Sequence, residues 1–103
     1  MKLVHSVYFS LNDRSDEARQ KLVASCRKHL TGHPGTVFAA VGLRGGEYAR
    51  SVNDRDFDVA WTIVFEDAAA HDEYDRSERH RAFMDENDST LKKKRVFDSL
   101  VVE

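Results

Sequence analysis

The sequence predicts an α+β fold with the element order βαββαβ. Two observations carry that expectation: four short stretches rich in β-branched and aromatic residues, and two longer stretches between them in which apolar residues recur at helical spacing. Size is the third. At 103 residues, 41% of them apolar, the chain holds enough for one small core, so residues 1–103 are expected to form a single domain.

The first stretch runs from Lys2 to Leu11, where Leu3, His5, Val7, Phe9 and Leu11 alternate with Lys2, Val4, Ser6, Tyr8 and Ser10. A period of two is a strand, and Val4 and Tyr8 make its second face apolar as well, which calls for a cover such as a partner subunit. Asn12 to Ser15 then supply capping side chains, Asp16 and Glu17 suit a helix N-terminus, and Ala18, Leu22, Cys26, His29 and Leu30 form a helical stripe. Gly32 and Pro34-Gly35 end it. Thr36 to Leu43 and Phe57 to Phe65 read as two strands that pair, the second with Val59, Trp61, Ile63 and Phe65 on one side. The turn-rich residues between them, Arg44 to Asp56, make one surface loop. Glu66-Asp67 introduces a second helical pattern reaching about Asn87, interrupted at Ser77, which can cap a new turn. Val96 to Val102 close the order as a fourth strand, after a basic stretch, Lys92 to Arg95, read as a solvated approach to it. Right-handed crossovers fold this order into a four-stranded antiparallel sheet with both helices on one face, the ferredoxin-like plait.

Several classes are excluded at this level. One cysteine allows neither an internal disulfide nor a zinc finger. Sixteen basic residues against eighteen acidic ones give a net charge of −2, with no electrostatic ground for a nucleic-acid partner. An RNA-recognition sheet would need aromatics on strand three beside Tyr8, where Asp58, Ala60, Thr62 and Val64 stand instead. No apolar run approaches the ~20 residues that cross a bilayer, and Met1 to His5 lead directly into a strand rather than a signal peptide, so no membrane partner and a cytoplasmic location are expected. Gly45-Gly46 lie in neither a dinucleotide nor a P-loop pattern, and no ligand spacing implies a metal, so no cofactor is expected. An interface ion held by backbone carbonyls would leave no sequence trace.

Three polar residues stand where chemistry is possible. His5 sits in the middle of the apolar side of strand one, and Tyr74 and His80 flank the interruption at Ser77. His80 begins a stripe with Phe83, Met84 and Asn87, which turns its imidazole toward the sheet. A histidine near neutral pKa beside a tyrosine hydroxyl is a competent acid/base pair for removing a proton next to a carbonyl. The cavity such a pair would serve lies between sheet and helices, with Trp61, Phe83, Met84 and Cys26 as its ligand-binding wall; Cys26 is a small buried residue there, not a nucleophile. Of the other histidines, His71 is expected to face solvent, and His29 and His33 to flank the end of helix one. The alternative is a non-catalytic structural or stress-associated dimer in which His5 and His80 are hydrogen-bonded core residues.

Taken together, Val4-His5-Ser6-Val7-Tyr8-Phe9, Phe57-Asp58-Val59-Ala60-Trp61 leading through Phe65-Glu66-Asp67-Ala68 to Tyr74, Ser77-Glu78-Arg79-His80-Arg81-Ala82-Phe83 and Val96-Phe97-Asp98 resemble the stress-responsive A/B barrel family. The resemblance implies a homodimer in which two plaits pack sheet to sheet as a dimeric α/β barrel. Plant polyketide cyclases of that family perform a cofactor-independent aldol condensation. The resemblance gives His80 the place of their histidine base, Tyr74 that of the supporting tyrosine and His5 that of the strand-one histidine, with a small apolar carbonyl compound as ligand. Two positions depart from the family pattern: Ser77-Glu78 replace a His-Pro pair, and Cys26-Arg27 stand near the place of a helix-one tyrosine.

Overall fold

The computed structural model describes residues 1–103. At its centre is β1 (Leu3–Leu11), whose alternation is realised in space: Leu3, His5, Val7, Phe9 and Leu11 are buried, while Val4, Ser6 and Tyr8 on the other side are half-buried. β1 pairs antiparallel with β3 (Val59–Phe65) and with β4 (Leu91–Leu100), and β2 (Thr36–Leu43) pairs with the outer side of β3. The sheet order β2-β3-β1-β4 is that of the ferredoxin-like plait.

α1 (Asp16–Leu30) begins as the sequence dictates. Ser15 Oγ accepts from the Ala18 amide at 3.2 Å, and Asp16 and Glu17 occupy the positive end of the helix dipole. Gly32, at φ +75°, turns the chain after it. The second helical stretch is two helices, α2 (Ala68–Arg76) and α3 (Glu78–Asn87), divided at Ser77. Arg79 of α3 donates to the carbonyls of Lys28 and Thr31 at 2.6 and 2.7 Å, answering the unpaired end of α1. Gly35, at φ +79°, brings the β2 approach against α2: a Cβ there would lie 2.5 Å from that of Ala70.

Leu22, Cys26 and Leu30 of α1, Tyr74 of α2 and Phe83 of α3 pack on the buried side of β1 and β3, around a fully enclosed Trp61. The other sheet face has no helix on it. The shortest dimension of the molecule is 17 Å, which admits one sheet and one helix layer of about 10 Å. Register puts Val4, Tyr8, Phe38, Val64 and Phe97 together on this open face, where Phe38 is 56% and Phe97 54% exposed.

The boundaries of β3 and β4 differ from expectation, and β4 also ends at Leu100 rather than Val102. β4 starts at Leu91, not Val96, so Lys92 to Arg95 are part of it, paired through Lys93, Lys94 and Arg95 with Ser10, Phe9 and Tyr8. Charged residues suit an edge strand, and here Lys93 and Arg95 also meet Asp56 and Asp54 of the long loop at 2.5 and 2.7 Å. β3 starts at Val59 rather than Phe57.

The residue just before it, Asp58, is a buried carboxylate that holds three segments. It accepts from the Leu11 amide at 2.9 Å and from Arg14 and Arg19 at 3.1 Å each. Burial alone would raise its pKa, but the Leu11 amide and the two guanidiniums hold it below the ordinary carboxylate value. Asp58 therefore contributes stability that is present above pH 3.8 and is lost as pH falls through its lower folded-state value. Removing it strands two partly exposed guanidiniums and a buried amide. Asp58→Ala is expected to lower unfolding free energy by about 3 kcal/mol at pH 7, read from urea denaturation, and by much less at pH 2.

Candidate functional site

A cavity of about 370 Å³ lies between the sheet and the helices, beside edge strand β4. Its floor is His5, Val7 and Trp61, its roof Tyr74, His80, Phe83 and Met84, and its outer wall Lys94, Val96 and Asp98 of β4. Small-molecule sites start at about 300 Å³, so there is room for a ligand.

Ser77 explains how Tyr74 and His80 come to face the same space. Its hydroxyl donates to the Tyr74 carbonyl at 2.8 Å, closing α2, and accepts from the His80 amide at 3.1 Å, opening α3. The Tyr74 and His80 rings meet edge to face with centroids 5.0 Å apart. Tyr74 is 2% exposed, and its hydroxyl oxygen accepts from Trp61 Nε1 at 3.2 Å, which leaves the tyrosine's own hydrogen free to be donated. Burial raises its pKa further above the ordinary value, so it stays a donor. His33 supports the ring from behind: its imidazole bonds the His29 carbonyl at 2.8 Å and lies edge to face on Tyr74 at 4.9 Å.

His80 is held more firmly in the neutral form than a surface histidine. Burial lowers its pKa below 6.5, the charges of His5, Lys94 and His33 push the same way, and only Asp75, 3.7 Å from Nε2, opposes them. At neutral pH the ring is an unprotonated base with a carboxylate next to it.

His5, 7% exposed, faces Asp98, its neighbour across the β1–β4 pair, with Nδ1 2.5 Å from Oδ1. Its ring is 5.9 Å from that of Tyr74. Of the residues singled out in the sequence, His5, Trp61, Tyr74, His80, Phe83 and Met84 line this cavity. Cys26 does not. It is fully buried in the core, its thiol pushed up to about 12 by burial, and it forms no part of the cavity wall. The expectation for His71 also needs correcting. Its ring lies 5.1 Å from that of His5 and lines the cavity, because residues 71, 74 and 75 share one helix face that looks at the sheet. Asp75, Lys94 and Asp98 were not assigned to the site from the sequence, although Asp98 stands in the Val96-Phe97-Asp98 motif and Lys94 in the basic stretch. Alternation with Val96 would have put Asp98 on the helix side, but only the register places it opposite His5.

A four-stranded plait with a buried histidine and tyrosine under its helices defines the class: a ferredoxin-like α+β domain. The family pattern of the stress responsive A/B barrel domain matches residues 3–101, and the chain belongs to that family. Solved structures share the architecture. A family member of ferredoxin-like fold from Mesorhizobium loti is 21% identical, aligned over 99% of this chain and 98% of its own, with a TM-score of 0.79. A dimeric ferredoxin-like protein of unknown function from Thermobifida fusca is 18% identical over 98% of this chain and 92% of its own, with a TM-score of 0.80. The hydroxynitrile lyase of Passiflora edulis is 17% identical over 99% and 94%, with a TM-score of 0.76. No curated protein matches the chain. No helix is long and apolar enough to cross a membrane.

An NMR titration of the ring protons is expected to place His80 below 6.5, and Asp75→Asn, which removes the one favourable charge, to lower it further. The sign for stability follows. Below pH 6.5 the unfolded chain takes up this proton before the folded one, so stability falls as pH drops from 6.5 toward the folded-state value.

Proposed function

We propose that the cavity under α2 and α3 binds a small, largely apolar carbonyl compound and moves a proton on the carbon next to the carbonyl. The observation that carries this reading is the edge-to-face pairing of half-buried His80, whose pKa burial lowers, with buried Tyr74, whose pKa burial raises, on one wall of a cavity large enough for a ligand. His80 removes the proton, and the bonding electrons move onto the carbonyl oxygen. The Tyr74 hydroxyl donates to that oxygen as charge develops. Asp75 offsets the imidazolium that results, and the enolate is then reprotonated or attacks a second carbonyl, as in a cyclase or lyase. Trp61, Phe83 and Met84 supply the apolar wall.

The test is exchange of the α-hydrogens of cyclohexanone and acetophenone for deuterium in D2O, followed by proton NMR. His80→Gln is expected to lower the protein-dependent rate at least 100-fold, within the range of general base catalysis, and Tyr74→Phe about 10-fold. Exchange that is unaffected by His80→Gln would overturn the reading and leave a structural dimer.

The open sheet face supports a second proposal within the same function: that the protein is a homodimer joined through it. Phe38 and Phe97 are more than half exposed on a sheet face that no helix covers, where burial against a second copy would remove them from water. The Thermobifida fusca neighbour is described as dimeric. Light scattering coupled to gel filtration should give twice the chain mass for the native protein and the monomer mass for Phe38→Asp/Phe97→Asp. A native monomer at micromolar concentration would exclude the barrel dimer.

A further inference from the structure

We infer that His5, His71 and Asp98 form a binding site for one divalent first-row transition metal ion, of the zinc type, at the floor of the cavity. One donor atom from each lies within 4.8 Å of the other two. Ligands at about 2.1 Å around a shared ion stand some 3–4 Å apart, so a side-chain adjustment of about an ångström closes the set. Two imidazoles and a carboxylate are the donors of open metal sites, where three protein ligands leave further positions for water or substrate. Here those positions face the cavity.

The supports are built in. His5 and Asp98 are fixed opposite each other by the β1–β4 register, and His71 stands on the first half of α2. His71 Nδ1 lies 3.2 Å from Asp72 Oδ1, which sets the tautomer and leaves Nε2 as the free donor, the carboxylate–histidine arrangement that orients metal-bound rings. His5 Nδ1 and Asp98 Oδ1 already lie in hydrogen-bond contact, so two of the three donors converge on one point of the cavity floor. Charge favours a cation there. Asp98, Asp72 and Asp75 surround the position against Lys94 alone.

Binding of the ion stands apart from the proposed reaction. Its role rests on that reading: an ion here is a Lewis acid for the carbonyl oxygen, beside the base that takes the proton. The test is titration of the chelator-stripped full chain with Zn²⁺ by calorimetry, and with Co²⁺ by its visible absorption. One ion per chain is expected, in a cobalt spectrum of low coordination number. His71→Ala should weaken binding at least tenfold; because its ring packs on His5 and Phe65, Asp72→Ala at an exposed position is the second variant, and should weaken binding about tenfold through the orienting hydrogen bond. His29→Ala, on the far side of the core, should change nothing. Absence of binding, or loss that is equal for His29→Ala and His71→Ala, would overturn the site. Failure is separable from that of the reaction: a chain that binds no ion but loses deuterium exchange in His80→Gln refutes the metal site alone, and a chain that binds one ion without exchange refutes the reaction alone.

Discussion

The two-residue period of β1 is the constraint on which the rest of the structure depends. Because side chains alternate strictly, one choice of register sends Leu3, His5, Val7 and Phe9 under the helices and Val4, Ser6 and Tyr8 to the opposite side. A slip by one residue would exchange the two sets, expelling the core and burying Ser6. The same alternation, transmitted across the β1–β4 ladder, puts Asp98 beside His5 and Phe97 beside Ser6. Site and exposed apolar face are thus two readings of a single strand.

A second constraint acts from above. Ser77 makes one hydroxyl serve as the end of α2 and the start of α3, so the two helices meet at an angle over the sheet instead of running on as one rod. A continuous helix would carry residues 74 and 80 on different faces, since six residues turn a helix by about 600°. The break brings their rings together over Trp61. Arg79, reaching from the same turn to the last carbonyls of α1, ties this joint to the neighbouring helix.

Most of the fold was legible because its signals are local. The alternation of β1, the Ser15 cap, the glycines after α1 and the serine between α2 and α3 each act within a few residues, and β1, α1, α2 and α3 appear where those signals stand. What was not legible depends on tertiary register. Lys92 to Arg95 look solvated by composition, but an edge strand tolerates charge on its rim, and the ladder with β1 extends through them. His71 looks like part of a polar helix start until α2 packs on the sheet and places it, with Tyr74, against His5 and Phe65. Asp58 shows the same limit. Nothing in its neighbourhood in sequence announces a carboxylate gripped by Leu11, Arg14 and Arg19 from more than forty residues away or nearly so. His5, Tyr74 and His80 were recognisable singly, as polar residues on apolar stripes; the partners that tune them, Asp98, Asp75 and Lys94, come from strand pairing and helix packing.

The position of the cavity beside edge strand β4, on the helix side of the sheet, has a consequence for traffic through the molecule. Its mouth and the bare apolar face are separated by the thickness of the sheet itself. A second copy seated on that face leaves the mouth uncovered, so small molecules can come and go without subunits parting, and the rate of one process sets no limit on the other.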